Sequence, residues 1–369
     1  MKFSEFLDVR DGTHDSPKRV NIGKKLITTK NLEDNRIDFT NAKNISLNDF
    51  KRINERSKVD QFDILLSMIG TVGNVYQERS AFPDYAIKNL ALLKFHGDEL
   101  LSNWMNYYLQ SKKGQSKIHQ RLSGSTQQYI SLTDLRNIEI TLPNRDQMEL
   151  CIKPLRYLDD LILKNNQIND NLDALLTNIF KKYMINDDFE KSNLTQIANY
   201  KNGLAMQKYR PNSNEESLPV LKIKELNQGN TDDSSDRCSA NLDNSVIVNT
   251  GDIIFSWSGT LLVKNWTGDK VGLNQHLFKV TSNKYPAWFI YEWTKYHLLR
   301  FQAIAAGKAT TMGHIKRSDL KSSPVYIPSQ LFLEKMDSQL APIYSQRLNL
   351  IKENQQLSKL KQTLLNKYF

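Results

Sequence analysis

Reading bases in a DNA groove takes Arg and Lys for phosphate and guanine, Asn and Gln for adenine, and small hydroxyls for close approach. That mixture recurs in the turn segments of this 369-residue chain. In the first half it falls on Arg10, Thr13, His14, Lys18 and Arg19, on Lys112, Lys113, Lys117 and Arg121, and on Ser125, Thr126, Gln127, Gln128 and Tyr129 after Gly124. In the second half it falls on Lys201, on Lys208, Tyr209 and Arg210, on Asn274, Gln275 and His276, and on Lys308, Thr310, Thr311, His314, Lys316 and Arg317 after Gly307. Each is a candidate DNA contact. The run Lys112 to Arg121 equally suits a solvated helix face, and Trp257 equally suits core packing.

Catalytic signatures are missing. No two of the 15 glycines are two apart, so there is no dinucleotide fingerprint, and none opens a Walker A loop. No two of the ten prolines are adjacent and neither cysteine follows a proline, which removes two methyltransferase signatures. The six histidines are scattered without metal-type spacing, so no metal site is expected. Asp319-Leu320-Lys321 resembles the end of a nuclease motif with Glu292 upstream, but Asp134-Leu135-Arg136 repeats it, so a helix cap is the better reading.

Fifty basic against 40 acidic residues give a net charge of +10, which suits an anionic partner. No apolar run approaches the roughly 20 residues of a membrane span. The opening Met1-Lys2-Phe3-Ser4-Glu5 lacks a secretory pattern, and only Cys151 and Cys238 are present, so the cytoplasm is the expected compartment.

The chain is two copies of one plan. Phe3 to Gly12 matches Leu194 to Gly203, each ending in what reads as a turn, and Phe62 to Thr71 matches Gly251 to Thr260, a buried-type strand with a glycine break. Asp134 with Pro143 matches Asp319 with Pro328, and Leu155–Met184 aligns without a gap on Leu340–Phe369. The fold class expected is α+β: two tandem mixed α/β domains, 1–150 and 186–335, each followed by a long helix, 151–185 and 336–369.

Neither helix contains Gly, and Pro154 and Pro342 are expected at their starts, where Pro is tolerated. Alternating steps of three and four give one seam of Leu155, Leu158, Ile162, Asn165, Asn169, Leu172, Leu176, Ile179 and Tyr183, and another of Leu340, Ile343, Arg347, Leu350, Asn354, Leu357, Lys361, Leu364 and Tyr368. These are coiled-coil seams with polar positions in the middle, suited to antiparallel pairing. A helix of roughly 30 residues measures about 45 Å, which would make a ruler on the order of 13 base pairs.

Taken together, Arg10-Asp11-Gly12-Thr13-His14-Asp15-Ser16-Pro17-Lys18, Gly251 to Gly259, Leu273 to Val280 and Thr310 to Leu320 resemble the specificity (S) subunit of type I restriction-modification systems, across essentially the whole chain. The resemblance implies two target recognition domains, each reading half of a bipartite asymmetric sequence in double-stranded DNA, with an antiparallel coiled coil fixing the spacer. It implies two methyltransferase (M) subunits using S-adenosylmethionine to methylate an adenine in each half-site, and two motor and nuclease (R) subunits using ATP and Mg²⁺. The S subunit itself is non-catalytic and holds no cofactor; the assembly would be a site-specific deoxyribonuclease and adenine-N6 methyltransferase. One departure is that only nine residues precede Gly12's turn at Arg10, leaving little of a leading segment for the M interface. Two other readings of the residues are a coiled-coil scaffold that binds proteins, and a self-sufficient methyltransferase or nuclease with an unrecognised site.

Overall fold

The computed structural model describes every residue except Asp34, Thr126, Asn214, Asp233 and residues 308–312. It divides into two compact units, one of Met1–Asp160 with Lys359–Phe369, the other of Leu161–Ser358. These units do not follow the expected domain boundaries, because each takes a stretch of both long helices into its own core.

In the first unit the strands Asp8–Asp11, Leu90–Lys94, Ile64–Ser67 and Val75–Gln77 form an antiparallel sheet in that order. Ile64–Ser67 is buried at every position, as a run of apolar residues covered on both faces requires. A second sheet joins Lys43–Ile45 antiparallel and Tyr85–Ile87 parallel to Lys24–Ile27. Phe3, Leu66, Leu93, Trp104 and Tyr108 form the main core with Met148, Ile152 and Leu155 of one long helix and Leu365 of the other.

The second unit repeats this plan. Asn199–Asn202, Leu277–Thr281, Ile253–Ser256 and Val263–Asn265 form the antiparallel sheet, and Ser217–Leu221 pairs antiparallel with Arg237–Ser239 and parallel with Val271–Leu273. Phe255, Trp288, Phe289 and Trp293 pack with Leu176, Phe180 and Met184 of the first long helix and Leu333, Leu340 and Tyr344 of the second.

The matched openings differ from the turns expected. Arg10-Asp11 and Lys201-Asn202 lie within strands, and the glycine after each is where the chain crosses close over another strand. A Cβ on Gly12 would lie 2.6 Å from the Ile87 carbonyl oxygen, and one on Gly203 would lie 2.2 Å from that of Leu273. Here glycine is needed for close approach. The glycine breaks at Gly70 and Gly259 have φ of 79° and 63°, the left-handed region.

The long helices run Arg145–Met184 and Gln330–Tyr368, starting ahead of residues 151 and 336, so Pro154 and Pro342 stand inside them. An interior proline removes one backbone N–H bond, and burial of Met148, Ile152, Leu333 and Met336 around the prolines offsets that loss. In the second unit the helix segments run side by side and antiparallel: Asn165 Nδ2 donates to Asn354 Oδ1 at 3.0 Å, Asn354 Nδ2 to Asn166 Oδ1 at 2.9 Å, and Arg347 meets Asp173 at 2.8 Å. In the first unit Lys361 meets Asp159 at 2.7 Å.

Of the expected seam, Leu155, Leu158, Leu176, Leu340 and Leu350 are buried, while Ile162, Asn169, Leu172, Ile179, Ile343, Asn354, Leu357 and Leu364 are half-buried. Phe180 and Leu365 are buried instead of their neighbours Ile179 and Leu364. A helix of 3.6 residues per turn drifts by about 20° per heptad from a strict 3.5 repeat, which moves the inward face by one residue. The polar layer is likewise Asn165 with Asn354, and Asn169 Oδ1 is buried without a partner.

Candidate nucleic-acid interface

In the second unit the glycine break is bonded both to the polar loop before a short helix and to the connection into the sheet's second strand; in the first, the glycine break is bonded to the polar loop, and the connection Lys88-Asn89 to Thr13 and His14 after the first strand. Backbone bonds repeat between the units. Gly70 N donates to Gln128 O at 3.1 Å and Ile130 N to Met68 O at 2.9 Å; Gly259 N donates to Gly313 O at 2.8 Å and Ile315 N to Trp257 O at 3.0 Å. Thr13 bridges Lys88 as Leu204 bridges Asn274.

The short helices Leu132–Arg136 and Arg317–Lys321 hold these loops. Asp134 accepts from Ser131 Oγ, and Asp319 Oδ2 accepts from Lys316 N, so both acids are caps, as their repetition suggested. Arg136 donates to Val9 O and Arg317 to Tyr200 O, equivalent carbonyls reached from opposite ends of equivalent helices. Arg317, a candidate DNA contact, is thereby tied to its own sheet and lies over the Phe278 ring.

On these scaffolds the side chains differ. In the first unit His14 lies between Asp11 Oδ2 at 2.8 Å and Asn89 Oδ1 at 3.0 Å, and Arg56 also meets Asp11. Thr13 Oγ1 accepts from the Asp15 amide, while Ser125, Gln127, Gln128 and Tyr129 are exposed. In the second unit the buried Ser258 Oγ lies 3.0 Å from His276 Nδ1, whose Nε2 is 3.3 Å from Gln275 Nε2. Trp257 lies beside both His276 and the half-buried His314, its indole packed on Phe278. Asn274 is buried, its side chain accepting from the His276 amide. Lys308, Thr310, Thr311 and Thr126 lie outside the described residues.

The cations divide by partner. Arg10 is bonded to Asp8, whose carboxyl it holds below the usual range, and Arg121 is bonded to the Lys117 and Asn137 carbonyls. Lys201 and Arg210 have Asp243 and Asp236 nearby. Lys18, Arg19, Lys112, Lys113, Lys117, Lys208 and Lys316 make no ion pair among the described residues and are exposed or half-exposed, as is Tyr209. Phosphate is the partner such groups suit. Among the described residues no cluster of His, Cys, Asp or Glu could hold a metal, and no helix is long and apolar enough to cross a membrane.

Lys88, Asn89, Arg56 and Ser258 belong to these junctions and were not singled out from sequence. The repeat could have pointed to Lys88-Asn89, since it precedes Leu90 as Asn274-Gln275-His276 precedes Leu277.

A family model described as the type I restriction modification DNA specificity domain matches residues 18–174 and again 186–359. The chain is similar to the type I restriction enzyme MjaIX specificity subunit of Methanocaldococcus jannaschii, 25% identical over 73% of this chain and 68% of that protein. It is also similar to the EcoBI specificity subunit of Escherichia coli, 24% identical over 54% of this chain and 40% of that one. The crystal structure of a type I restriction-modification S subunit from M. genitalium aligns over 100% of this chain and 95% of its own, with 16% identity and a TM-score of 0.48.

Proposed function

The chain belongs to the type I restriction-modification DNA specificity family, and on that premise we propose that it reads a bipartite asymmetric site in double-stranded DNA, one half-site per unit. The observation that carries this reading is the repeated backbone bonding at the two junctions, Gly70 with Gln128 and Gly259 with Gly313, beneath unlike polar side chains. Equal scaffolds with different surface chemistry suit two different half-sites. The unpaired lysines flanking the first junction would hold phosphate and set its affinity, and the exposed amides and hydroxyls would contact base edges.

In this reading the chain performs no catalysis and works in the cytoplasm. Two M subunits using S-adenosylmethionine methylate an adenine in each half-site, and two R subunits using ATP and Mg²⁺ cleave. The paired helices set the unspecified spacer as an antiparallel coiled coil. Inserting four residues, about one helical turn, between Asn169 and Leu172 then lengthens the spacer while both half-sites stay.

The test is selection of bound duplexes from a randomised pool by the complex of this chain with its cognate M subunit. Two short specified blocks separated by a fixed unspecified gap are expected. A single block, or enrichment without sequence preference, would overturn the reading.

A further inference from the structure

We infer that Asn89 and Gln275 are the specificity-determining side chains of the two junctions, each reading an adenine edge, and that His14 and His276 are the positioning residues that orient them. The inference rests on the DNA-reading function proposed above and names the groups that carry it out.

Asn89 and Gln275 occupy one place in the fold. The connection Lys88-Asn89 joins Tyr85–Ile87 to Leu90–Lys94, and Asn274-Gln275-His276 joins Val271–Leu273 to Leu277–Thr281, the same strands of the repeated sheets. Both side chains are half-exposed, and Asn89 sits at φ 54°, which turns this connection sharply. In each unit a histidine holds the carboxamide, but the histidines come from different segments: His14 follows the first strand of its sheet, and His276 lies in the connection itself. Each histidine is held in turn, His14 by Asp11 and His276 by the buried Ser258. The arrangement of anchor, imidazole and carboxamide is thus reached twice from unrelated residues.

The hydrogen-bond count decides what these amides can still do. When His276 carries its proton on Nδ1, Nδ1–H donates to Ser258 Oγ and Nε2 accepts from Gln275 Nε2–H, so both contacts are made at once. Gln275 keeps its carbonyl oxygen and one N–H. At His14, Nε2–H donates to Asp11, and whichever way the Asn89 amide is turned it keeps an acceptor lone pair and an N–H after meeting Nδ1. One acceptor and one donor from a single carboxamide match the N6–H and N7 of adenine in the major groove. Among the described residues, the neighbouring Gln127 and Gln128 make no side-chain hydrogen bond that would fix their carboxamides.

The experiment repeats the pool selection with M-subunit complexes of Asn89→Ala, Gln275→Ala, His14→Ala and His276→Ala, beside the wild-type complex, with thermal unfolding of each complex recorded. Asn89→Ala is expected to relax one adenine position in one half-site by roughly tenfold or more, and Gln275→Ala one position in the other, with the remaining bases and spacer unchanged. Each histidine variant is expected to relax the same position as its amide partner, by a smaller factor. Gln275→Glu, which lacks the N–H for N7, should also lose the adenine preference while keeping the side chain's shape.

Wild-type complexes that select a bipartite site while both amide variants select the same motif would overturn the inference and leave the function standing. Equal weakening at every position by an amide variant, with unfolding temperature unchanged, would overturn it as well. A wild-type complex that selects no bipartite site would remove the function and this inference together.

Discussion

The helix that leads into the polar loop of the first unit, Lys112–His119, carries Lys112, Lys113 and Lys117, which have no carboxylate partner among the described residues. Its counterpart in the second unit, Leu298–Ala306, has Arg300 as its charged residue, bonded to Ser322 and Ser323, and presents Leu299 at 80% exposure. The strand order of the first sheet and the backbone bonds between glycine break and polar loop are the same in both units. In the proposed reading, phosphate grip and base reading are separable: the scaffold is duplicated, while this helix carries three lysines in the first unit and one bonded arginine in the second.

The largest expected effect tests that asymmetry. Reversing Lys112, Lys113 and Lys117 to Glu should lower DNA affinity of the M-subunit complex by at least about tenfold and reduce the slope of log affinity against log salt by roughly 3. Leu299→Lys, on the second unit, should raise that slope by about 1. Titrations across a salt series check both, and equal slopes for all variants would erase the proposed division of labour.

The units also seat the long helices differently. In the second, Arg347 is 6% exposed, paired with Asp173 and laid over the Tyr291 ring, and its Nε and one terminal nitrogen lack partners. In the first, Lys361 pairs with Asp159 over the Tyr107 ring, with both charged side chains 17% exposed. Removing Arg347 leaves Asp173, 28% exposed, still paired with Lys295; removing Lys361 leaves Asp159, 17% exposed, with the Tyr107 hydroxyl in place of a cation. Lys361→Met should therefore destabilise the protein by about 3 kcal/mol, and Arg347→Met, whose carboxylate keeps a cation, by roughly 1 kcal/mol. Denaturant unfolding of the M-subunit complexes measures the two, and equal losses would show that the remaining cation is not the distinguishing factor.

A smaller effect sharpens the contrast through pH. Burial pushes the Glu292 carboxyl up to about 7 from 4.5, against the opposing pull of Lys295. The folded state therefore binds this proton more tightly than the unfolded chain does. The stability it contributes is full below about 4.5 and is lost as pH rises through about 7. Glu292→Gln should flatten that decline and leave the acid side little changed; unfolding midpoints across this window test it, and an unaltered slope would refute the assignment.

Much of the plan was legible because a duplication exposes itself. The Gly70 and Gly259 breaks, the Asp134 and Asp319 caps and the closing helices could be matched residue by residue without coordinates. The burial of Phe180 in place of Ile179 was not legible, since strict heptad spacing ignores the slow rotation of a real helix. Nor was the role of Arg317: its sequence surroundings suit phosphate, and only the fold brings Tyr200 O within 3.1 Å of its guanidinium. Asn89 escaped notice because its importance lies in His14, 75 residues away.

The most direct measurement is long-read modified-base sequencing of a methylation-free host that expresses the cognate M subunit with and without this chain. A bipartite, asymmetric adenine-methylated motif that appears only with the chain is the predicted result. No new motif, with the M subunit folded and bound to the chain, would contradict the proposal that these two units read DNA.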